Sequence, residues 1–285
     1  MDTAKLEAFW NDTLARAKRE PLNPQVEPVP VPGPYYTHRV SYQSWQGKTI
    51  RAYLGVPVLD RPSQRLPAIV TAPGYGGWEH GCTLSECQRG YLLLQVFPRD
   101  QGLSGGWAVG TYNPVGPRPL LQGIDRPEGY FYQGAYVDLI RGIDYLVSRP
   151  DVDPERIALI GTSQGGGIVL SVAGLEPRVK ATVAHVPYFC DMRHNAAFAK
   201  SELAEPKHLD TFDFFDPVNL APRSQAPTLL SSGGKDATCP AETIRAVFDR
   251  LPGIKALAHF PELIHTSSAD FYQMSWDWMA RYLGC

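Results

Sequence analysis

The chain has little of what marks membrane, exported or nucleic-acid-binding proteins. Its 285 residues contain no apolar run long enough to span a bilayer, and their formal net charge is only -2. Such a balance provides neither a basic field for nucleic acid nor a polybasic patch for a lipid surface. The first ten residues also lack the cationic start and apolar core of a signal peptide. We therefore expect a cytoplasmic protein with no membrane partner and no nucleic-acid partner.

Cysteine is scarce as well, and its spacing predicts neither a disulfide framework nor a zinc site. Cys82 and Cys87 lie close together, but no second close pair and no matching histidine spacing accompany them. An odd number of scattered cysteines indicates free thiols in a reducing compartment, and we expect no metal. The five are Cys82, Cys87, Cys190, Cys239 and Cys285.

The order of apolar runs predicts an α/β fold in one domain covering residues 1–285. Residues 1–34 combine a helical pattern with six prolines, and we expect a helix and an irregular arm packed on the body. Residues 36–45 and 49–56 predict an antiparallel hairpin. From residue 66 onward strands alternate with helices, which implies a mostly parallel twisted sheet covered by helices on both faces.

The alternating part of the chain contains six predicted strands and three long predicted helices. Each predicted strand is a short apolar run, and each predicted helix has apolar residues at helical spacing. The strands are 68–71, 91–96, 157–160, 179–186, 228–232 and 256–260, and the helices are 133–147, 240–251 and 267–283.

Residues 161–165, Gly-Thr-Ser-Gln-Gly, carry the most specific chemical signal in the chain. They follow the predicted strand 157–160 and precede a run of small apolar residues that reads as a helix packed closely on a sheet. In that context G-x-S-x-G is a nucleophile elbow, a sharp turn that exposes the serine oxygen at the end of a strand. Ser163 is therefore the candidate nucleophile.

A serine nucleophile needs a base, and the base needs a group that holds its tautomer. Asp236 lies on the loop after the strand 228–232, and His265 lies on the loop after the strand 256–260. The order Ser, acid, His is the one that α/β-hydrolases use. Two plainer interpretations remain open, since Asp236 could cap a helix and His265 could be a surface histidine. The competing acids are Asp191, Asp213 and Asp216.

The two amides of an oxyanion hole can also be assigned. One belongs to Gln164, the residue after the nucleophile, and the other belongs to Tyr75 in the glycine-rich loop after the strand 68–71. The Tyr75 side chain could serve the wall of a pocket, and it could equally pack on the core. Four aromatic residues are candidates for a substrate pocket, although each is as compatible with ordinary core packing: Trp78, Trp107, Tyr188 and Phe189.

Nearly the whole chain resembles the acetyl xylan esterase and cephalosporin C deacetylase family of carbohydrate esterases. The resemblance rests on ordered matches: Phe9-Trp10, Gly74-Tyr75-Gly76-Gly77, Arg99-Asp100-Gln101, Ser104-Gly105-Gly106-Trp107, the run 161–167, and Asp236-Ala237-Thr238-Cys239-Pro240. It implies an α/β-hydrolase fold and a homo-oligomer, since the family typically forms hexameric rings. It also implies a triad of Ser163, Asp236 and His265 with oxyanion amides at Tyr75 and Gln164.

The chain departs from the family at three places. Asp100 replaces the glycine of the family's R-G-Q motif, and Thr266 replaces the glutamate that follows the catalytic histidine. The segment from about 187 to 225 reads as a reduced cap-like insertion, shorter between about 191 and 215 than in relatives of the family. Substrate range and assembly could both differ as a result.

The combined expectation is a serine esterase that removes short acyl groups, above all acetyl, from hydroxyls of sugars or small alcohols. Its partner would be a small-molecule ester, and acyl transfer to water requires no cofactor. Two alternatives remain. One is another serine hydrolase on the same fold, a peptidase or thioesterase, and the other is a non-catalytic binding protein.

Overall fold

The structure, a computed structural model, describes residues 1–31, 33–58, 65–75, 86–105, 119–195 and 204–284. Two of the predicted pocket residues, Trp78 and Trp107, lie outside the described residues. Among those that are described, no helix is both long and apolar enough to traverse a bilayer.

The described residues contain one nine-stranded sheet with the order β1-β2-β3-β5-β4-β6-β7-β8-β9. Its strands are β1 (Gln25–Pro28), β2 (Tyr35–Gln43), β3 (Thr49–Pro57), β4 (Leu66–Ala72), β5 (Leu92–Phe97), β6 (Val152–Thr162), β7 (Val179–His185), β8 (Thr228–Gly233) and β9 (Lys255–Phe260).

The sheet is antiparallel at one end and parallel through the rest. The pairs β1–β2, β2–β3 and β3–β5 are antiparallel. The pairs β5–β4, β4–β6, β6–β7, β7–β8 and β8–β9 are all parallel. The mostly parallel sheet with an antiparallel hairpin that the sequence predicts is therefore present, and the carboxyl ends of β6 to β9 lie at one edge.

Seven α-helices in the described residues cover or flank this sheet. They are α1 (Thr3–Ala17), α2 (Phe131–Val147), α3 (Gln164–Ala173), α4 (Pro206–Phe212), α5 (Pro217–Leu220), α6 (Ala241–Arg250) and α7 (Ala269–Leu283). The short helices α4 and α5 lie in the segment that the sequence marks as a reduced insertion.

Apolar residues on both sides of the strands explain why the sheet is covered on both faces. On β5, Leu92 and Leu94 belong to the larger core cluster, together with residues of α2, α3 and α6. Leu93 points the other way, into a second cluster that includes Phe271 and Met279 of α7. Successive side chains of a strand face opposite sides, so a continuous apolar run requires helices on both.

The N-terminal region packs on the body, but the prediction of an irregular arm is wrong in one respect. Trp10 of α1 is fully buried, and its Nε1 donates a hydrogen bond to the Phe214 carbonyl at 2.8 Å. Within the arm, Gln25–Pro28 forms β1 and pairs with β2. A proline is tolerated there because β1 is an edge strand, whose outward N–H positions need no partner strand.

Candidate active site

Ser163 occupies a strained turn between the end of β6 and the start of α3. Its φ is 56° and its ψ is -121°, a conformation that side-chain-bearing residues rarely adopt. The turn is held by the backbone, since the Ser163 amide donates to the His185 carbonyl at 2.9 Å and the Ser163 carbonyl accepts from the Tyr188 amide at 2.9 Å. The strain therefore persists because neighbouring strands and loops fix both peptides of Ser163.

Gly165 allows α3 to approach the sheet at this turn. A Cβ atom on Gly165 would lie 2.2 Å from the Ala72 carbonyl oxygen at the end of β4, which is far inside van der Waals contact. Only glycine leaves room for this approach. The close packing brings the first turn of α3 against the loop that follows β4, which contains Gly74 and Tyr75.

His265 lies between Ser163 and Asp236. Its Nε2 is 2.9 Å from the Ser163 Oγ, and its Nδ1 is 2.8 Å from the Asp236 Oδ2. The three residues come from the carboxyl ends of β6, β8 and β9, which run parallel and therefore end at the same edge of the sheet. Residues up to 102 positions apart thus form one hydrogen-bonded chain.

The Asp236 carboxylate is fixed on both of its oxygens. Its side chain has no solvent exposure, and its Oδ1 accepts from the amides of Thr238 and Cys239, each at 2.8 Å. The residue capping α6 is Pro240 rather than Asp236. Asp236 thus shapes the turn before α6 and also accepts from His265, so the structural interpretation and the functional one apply to the same side chain.

The competing acids have other partners. Asp191 lies 2.7 Å from the His194 ring, Asp213 pairs with Arg193, and Asp216 accepts the backbone amides of residues 191, 192 and 218. None of these contacts involves Ser163 or His265.

His185 is not suited to act as the catalytic base. It is 1 % exposed, and its Nδ1 and Nε2 lie 3.0 and 3.3 Å from the hydroxyls of Ser267 and Ser275. Burial, which disfavours the charged ring, lowers the pKa of His185 to about 4. A ring that stays neutral and bonded on both nitrogens is a core histidine.

The Gln164 side chain belongs to a buried hydrogen-bond network that the motifs of the sequence do not predict. Its partners are Gln101, the Tyr132 hydroxyl of α2 and the Gly74 carbonyl. Gln101 could have been found, because it is the last residue of the motif that resembles R-G-Q. Tyr132 could not have been found in this way, because no motif distinguishes it from the other aromatic residues of the buried helix α2.

The first two residues of that motif anchor it. Arg99 is buried, and its Nε and Nη2 donate to the two carboxylate oxygens of Asp138 at 2.9 and 2.8 Å. Asp100 has a φ of 60°, which explains why the family places glycine here, and aspartate is one of the few residues that tolerate this conformation. Its carboxylate lies 3.3 Å from the Lys48 ammonium at the surface. The added charge thus has an oppositely charged partner at the surface.

The predicted pocket residues that are described lie at different depths. Tyr75 is 37 % exposed, and its ring meets the Tyr188 ring edge-on at a centroid distance of 6.1 Å. Phe189 is 2 % exposed and packs against Tyr132 and Phe212, with centroids 4.8 and 5.1 Å apart. The structure therefore favours the core interpretation for Phe189, and Tyr75 and Tyr188 stay candidates for an aromatic wall.

One set of described side chains contains three groups that are able to bind a metal. The ligand atoms of Asp236, Cys239 and His265 all lie within 4.8 Å of one another. The carboxylate and the imidazole are already hydrogen-bonded to each other. Burial and the nearby Asp236 carboxylate both raise the pKa of the Cys239 thiol, which opposes the thiolate that a metal requires. The arrangement favours a proton relay over a metal centre.

The chain also matches a known protein family. A family model described as acetyl xylan esterase (AXE1) matches residues 2–282. The chain belongs to the acetyl xylan esterase family. The resemblance found in the sequence is thereby confirmed over nearly its full length.

Individual relatives agree with this assignment. An acetyl esterase, Axe7A of Xylanibacter ruminicola, is 28 % identical over 95 % of this chain, and the alignment spans 65 % of that protein. An acetyl xylan esterase structure from a Paenibacillus species is 28 % identical, with a TM-score of 0.88 over 98 % of this chain and 95 % of that one. Acetyl xylan esterase 1 from a Thermoanaerobacterium species is 21 % identical, with a TM-score of 0.86 over 98 % and 93 %. These likenesses confirm the predicted α/β-hydrolase fold.

Proposed function

We propose that this protein is a serine esterase that removes acetyl groups from the hydroxyls of sugars or small alcohols. The observation that carries the proposal is the hydrogen-bonded chain from the Ser163 Oγ through the His265 ring to the Asp236 carboxylate, with distances of 2.9 and 2.8 Å. Both distances are within the range over which a proton can be transferred. The acetyl ester as substrate class is supported by the names of the relatives, which are acetyl esterases and acetyl xylan esterases.

In the acylation step, the Ser163 Oγ attacks the ester carbonyl carbon while the His265 Nε2 takes the serine proton. The Asp236 carboxylate accepts the His265 Nδ1–H, and its negative charge stabilises the imidazolium that forms. When the tetrahedral intermediate collapses, the carbon–oxygen bond to the alcohol breaks and His265 protonates the leaving oxygen. The products are the free alcohol and an acetyl group on Ser163.

Deacylation repeats the sequence with water as the nucleophile. His265 takes a proton from the water as its oxygen attacks the acetyl carbon. Collapse of the second tetrahedral intermediate breaks the bond to Ser163, whose oxygen receives the proton back from His265. Acetic acid leaves and loses its remaining proton to the solvent, and the three side chains return to their starting protonation states.

The negative oxygen of each intermediate would lie between the backbone amides of Gln164 and Tyr75. Gln164 is the first residue of α3, where an amide has no carbonyl partner within the helix and the helix dipole favours negative charge. Removing one donor of an oxyanion hole typically lowers the stabilisation of the transition state by about 3 kcal/mol. Tyr75 and Tyr188 would form an aromatic wall of the substrate pocket, and Trp78 and Trp107 remain candidates for the same pocket.

Ser163→Ala tests the proposal. Hydrolysis of p-nitrophenyl acetate should fall to the background rate, and a fluorophosphonate probe should no longer label the protein. Ser171→Ala provides a matched control, because Ser171 lies two turns later on the same helix and bonds to Tyr136 instead. Retention of wild-type hydrolysis by the Ser163 variant would refute the mechanism.

A substrate panel tests the acyl specificity. Rates should fall steeply from acetyl to octanoyl esters, and acetylated sugars should be hydrolysed faster than acetyl thioesters or peptide amides. A flat or rising dependence on chain length would contradict the short-acyl assignment. Preference for thioesters or peptides would favour the alternative serine hydrolases.

We also propose that the protein is a homo-oligomer in the cytoplasm. The first part is supported by the ring assemblies of the family that it resembles, and the second by its sequence composition. Light scattering of the purified protein and fractionation of the native host would measure both. A monomer, or a protein found outside the cell, would contradict the corresponding half of this proposal.

A further inference from the structure

Two buried glutamines lie side by side behind the candidate oxyanion hole. Gln164 and Gln101 are each 1 % exposed, and their side-chain amides bond to each other in both directions. The Gln164 Nε2 donates to the Gln101 Oε1 at 2.9 Å, and the Gln101 Nε2 donates to the Gln164 Oε1 at 3.2 Å. A paired amide of this kind holds both side chains in one plane.

The remaining bonds of Gln164 fix which end of its amide faces the loop after β4. Its Oε1 also accepts from the Tyr132 hydroxyl at 3.0 Å, and its Nε2 also donates to the Gly74 carbonyl at 3.3 Å. All four hydrogen-bonding positions of the side-chain amide are thus used. The reverse orientation would place the Gln164 Oε1 against the Gly74 carbonyl oxygen, two acceptors with no proton between them.

The Gly74 carbonyl and the Tyr75 amide are the two polar ends of a single peptide group. Because a trans peptide is planar, its C=O and N–H point in opposite directions and turn together. A hydrogen bond that fixes the direction of the Gly74 carbonyl therefore also fixes the direction of the Tyr75 N–H.

The described residues leave space around Gly74 and Tyr75. A Cβ built on Gly74 would meet no atom of the described residues within 4 Å, and the Tyr75 side chain is more than one third exposed. A glycine with open space beside it allows its peptide to rotate at little cost. The bond from Gln164 is thus a specific restraint on the direction of this peptide.

We infer that the Gln164 side chain is a positioning residue that aims the Tyr75 N–H at the oxyanion, and that Gln101 and Tyr132 hold Gln164 in place. This inference rests on the proposed function and deepens it. Gln164 then serves both oxyanion donors, one through its own backbone amide and the other through its side chain. The R-x-Q motif, distant in sequence from the triad, acquires a role in transition-state stabilisation.

The test is Gln164→Met, which keeps the backbone amide and similar bulk but cannot donate to Gly74. With p-nitrophenyl acetate, kcat should fall about 10- to 100-fold, approaching the loss of a whole donor, while KM changes less than threefold. Affinity for a trifluoromethyl ketone that forms a tetrahedral adduct should fall by the same factor as kcat/KM. The pH at which kcat/KM rises should not move, because the triad is intact.

Tyr132→Phe and Gln101→Met provide a second route if the Gln164 variant does not fold. Tyr132→Phe removes a single hydroxyl and should lower kcat less than Gln164→Met, since Gln101 still holds Gln164. Gln133→Met is the matched control, because Gln133 is a buried glutamine of α2 that bonds to Thr13 and Gly129, away from the site. Its kcat per labelled site should equal that of the wild type.

The outcomes separate this inference from the proposed function. Suppose that the esterase activity of the wild type depends on Ser163. If the folded variants then keep kcat within twofold of the wild-type value, the positioning role alone is overturned. Equal losses of ketone and product affinity would also overturn it, because they would indicate a general disturbance of the pocket. A wild type without esterase activity that depends on Ser163 would overturn both.

Discussion

Asp236→Asn changes one oxygen of the candidate triad to an amino group and tests how His265 is held. In the wild type the Asp236 Oδ1 accepts two backbone amides at 2.8 Å, and the Oδ2 accepts from the His265 Nδ1. Two N–H groups require an oxygen, so the asparagine oxygen takes the Oδ1 position. Its NH2 group must then face the His265 ring.

This orientation forces the wrong tautomer on His265. A ring that accepts a hydrogen bond at Nδ1 carries its proton on Nε2, 2.9 Å from the Ser163 Oγ, and cannot take the serine proton. Turning the asparagine over would bury two amides without an acceptor, at about 1–3 kcal/mol each. The asparagine amide is therefore not expected to turn over and restore the correct tautomer. We expect kcat to fall roughly 10⁴-fold, which is the loss that the same substitution causes in the serine-protease triad.

The assay is the initial rate with p-nitrophenyl acetate, normalised to the fraction of folded protein from a thermal melt. A low-field proton NMR resonance is expected from the His265 Nδ1–H of the wild type, and it should be absent from the variant. Asp213→Asn is the control, since Asp213 pairs with Arg193 and does not contact the triad. If Asp236→Asn retained more than one tenth of wild-type kcat, the tautomer argument would be refuted.

Two further predictions concern the scaffold around the site. Gly165→Ala places a Cβ 2.2 Å from the Ala72 carbonyl oxygen, so α3 must move away from β4. The free energy of unfolding, measured in urea, should therefore fall by about 1–3 kcal/mol, and kcat should also fall. An unchanged midpoint would contradict the close approach. Because burial lowers the pKa of His185 to about 4, the folded state binds fewer protons than the unfolded state between about pH 4 and 6.5. The unfolding free energy should therefore fall as the pH drops through this window, by up to about 1.4 kcal/mol per pH unit from this group, and His185→Gln should flatten that slope. Parallel slopes for wild type and variant would contradict this, because they would show that His185 binds its proton as readily in the folded state as in the unfolded state.

Much of the fold was predictable because its signals are local. The strand β5 is buried at every position and apolar at all but Gln95, which requires helices on both faces of the sheet, and both faces are covered. The strand β1 escaped prediction because its stability comes from pairing with β2, a contact that the proline-rich sequence does not reveal. The helix α5 did have a signal, since Asp216 caps it and Pro217 opens it, a pattern that favours helix starts.

The residues that meet at Ser163 were predictable for a different reason. The carboxyl ends of parallel strands lie at a common edge of the sheet. Residues on the loops that follow three such strands, here a serine, an aspartate and a histidine, are therefore expected to lie close together. The sequence could not reveal that the Gln164 side chain reaches Gln101 and Tyr132, which are 63 and 32 residues away. No periodicity or motif encodes a contact of that kind.

The amino-acid order alone determined the alternation of strands and helices, the serine at the elbow and the family to which the chain belongs. These features follow from patterns a few residues long, because local sterics and the burial of apolar side chains depend on neighbouring residues in the chain. Only the tertiary structure decided the tautomer-setting contacts of Asp236 and the direction of the Gly74–Tyr75 peptide. Both depend on hydrogen-bond geometry between separate elements, and that geometry exists only once the sheet and α3 have packed together.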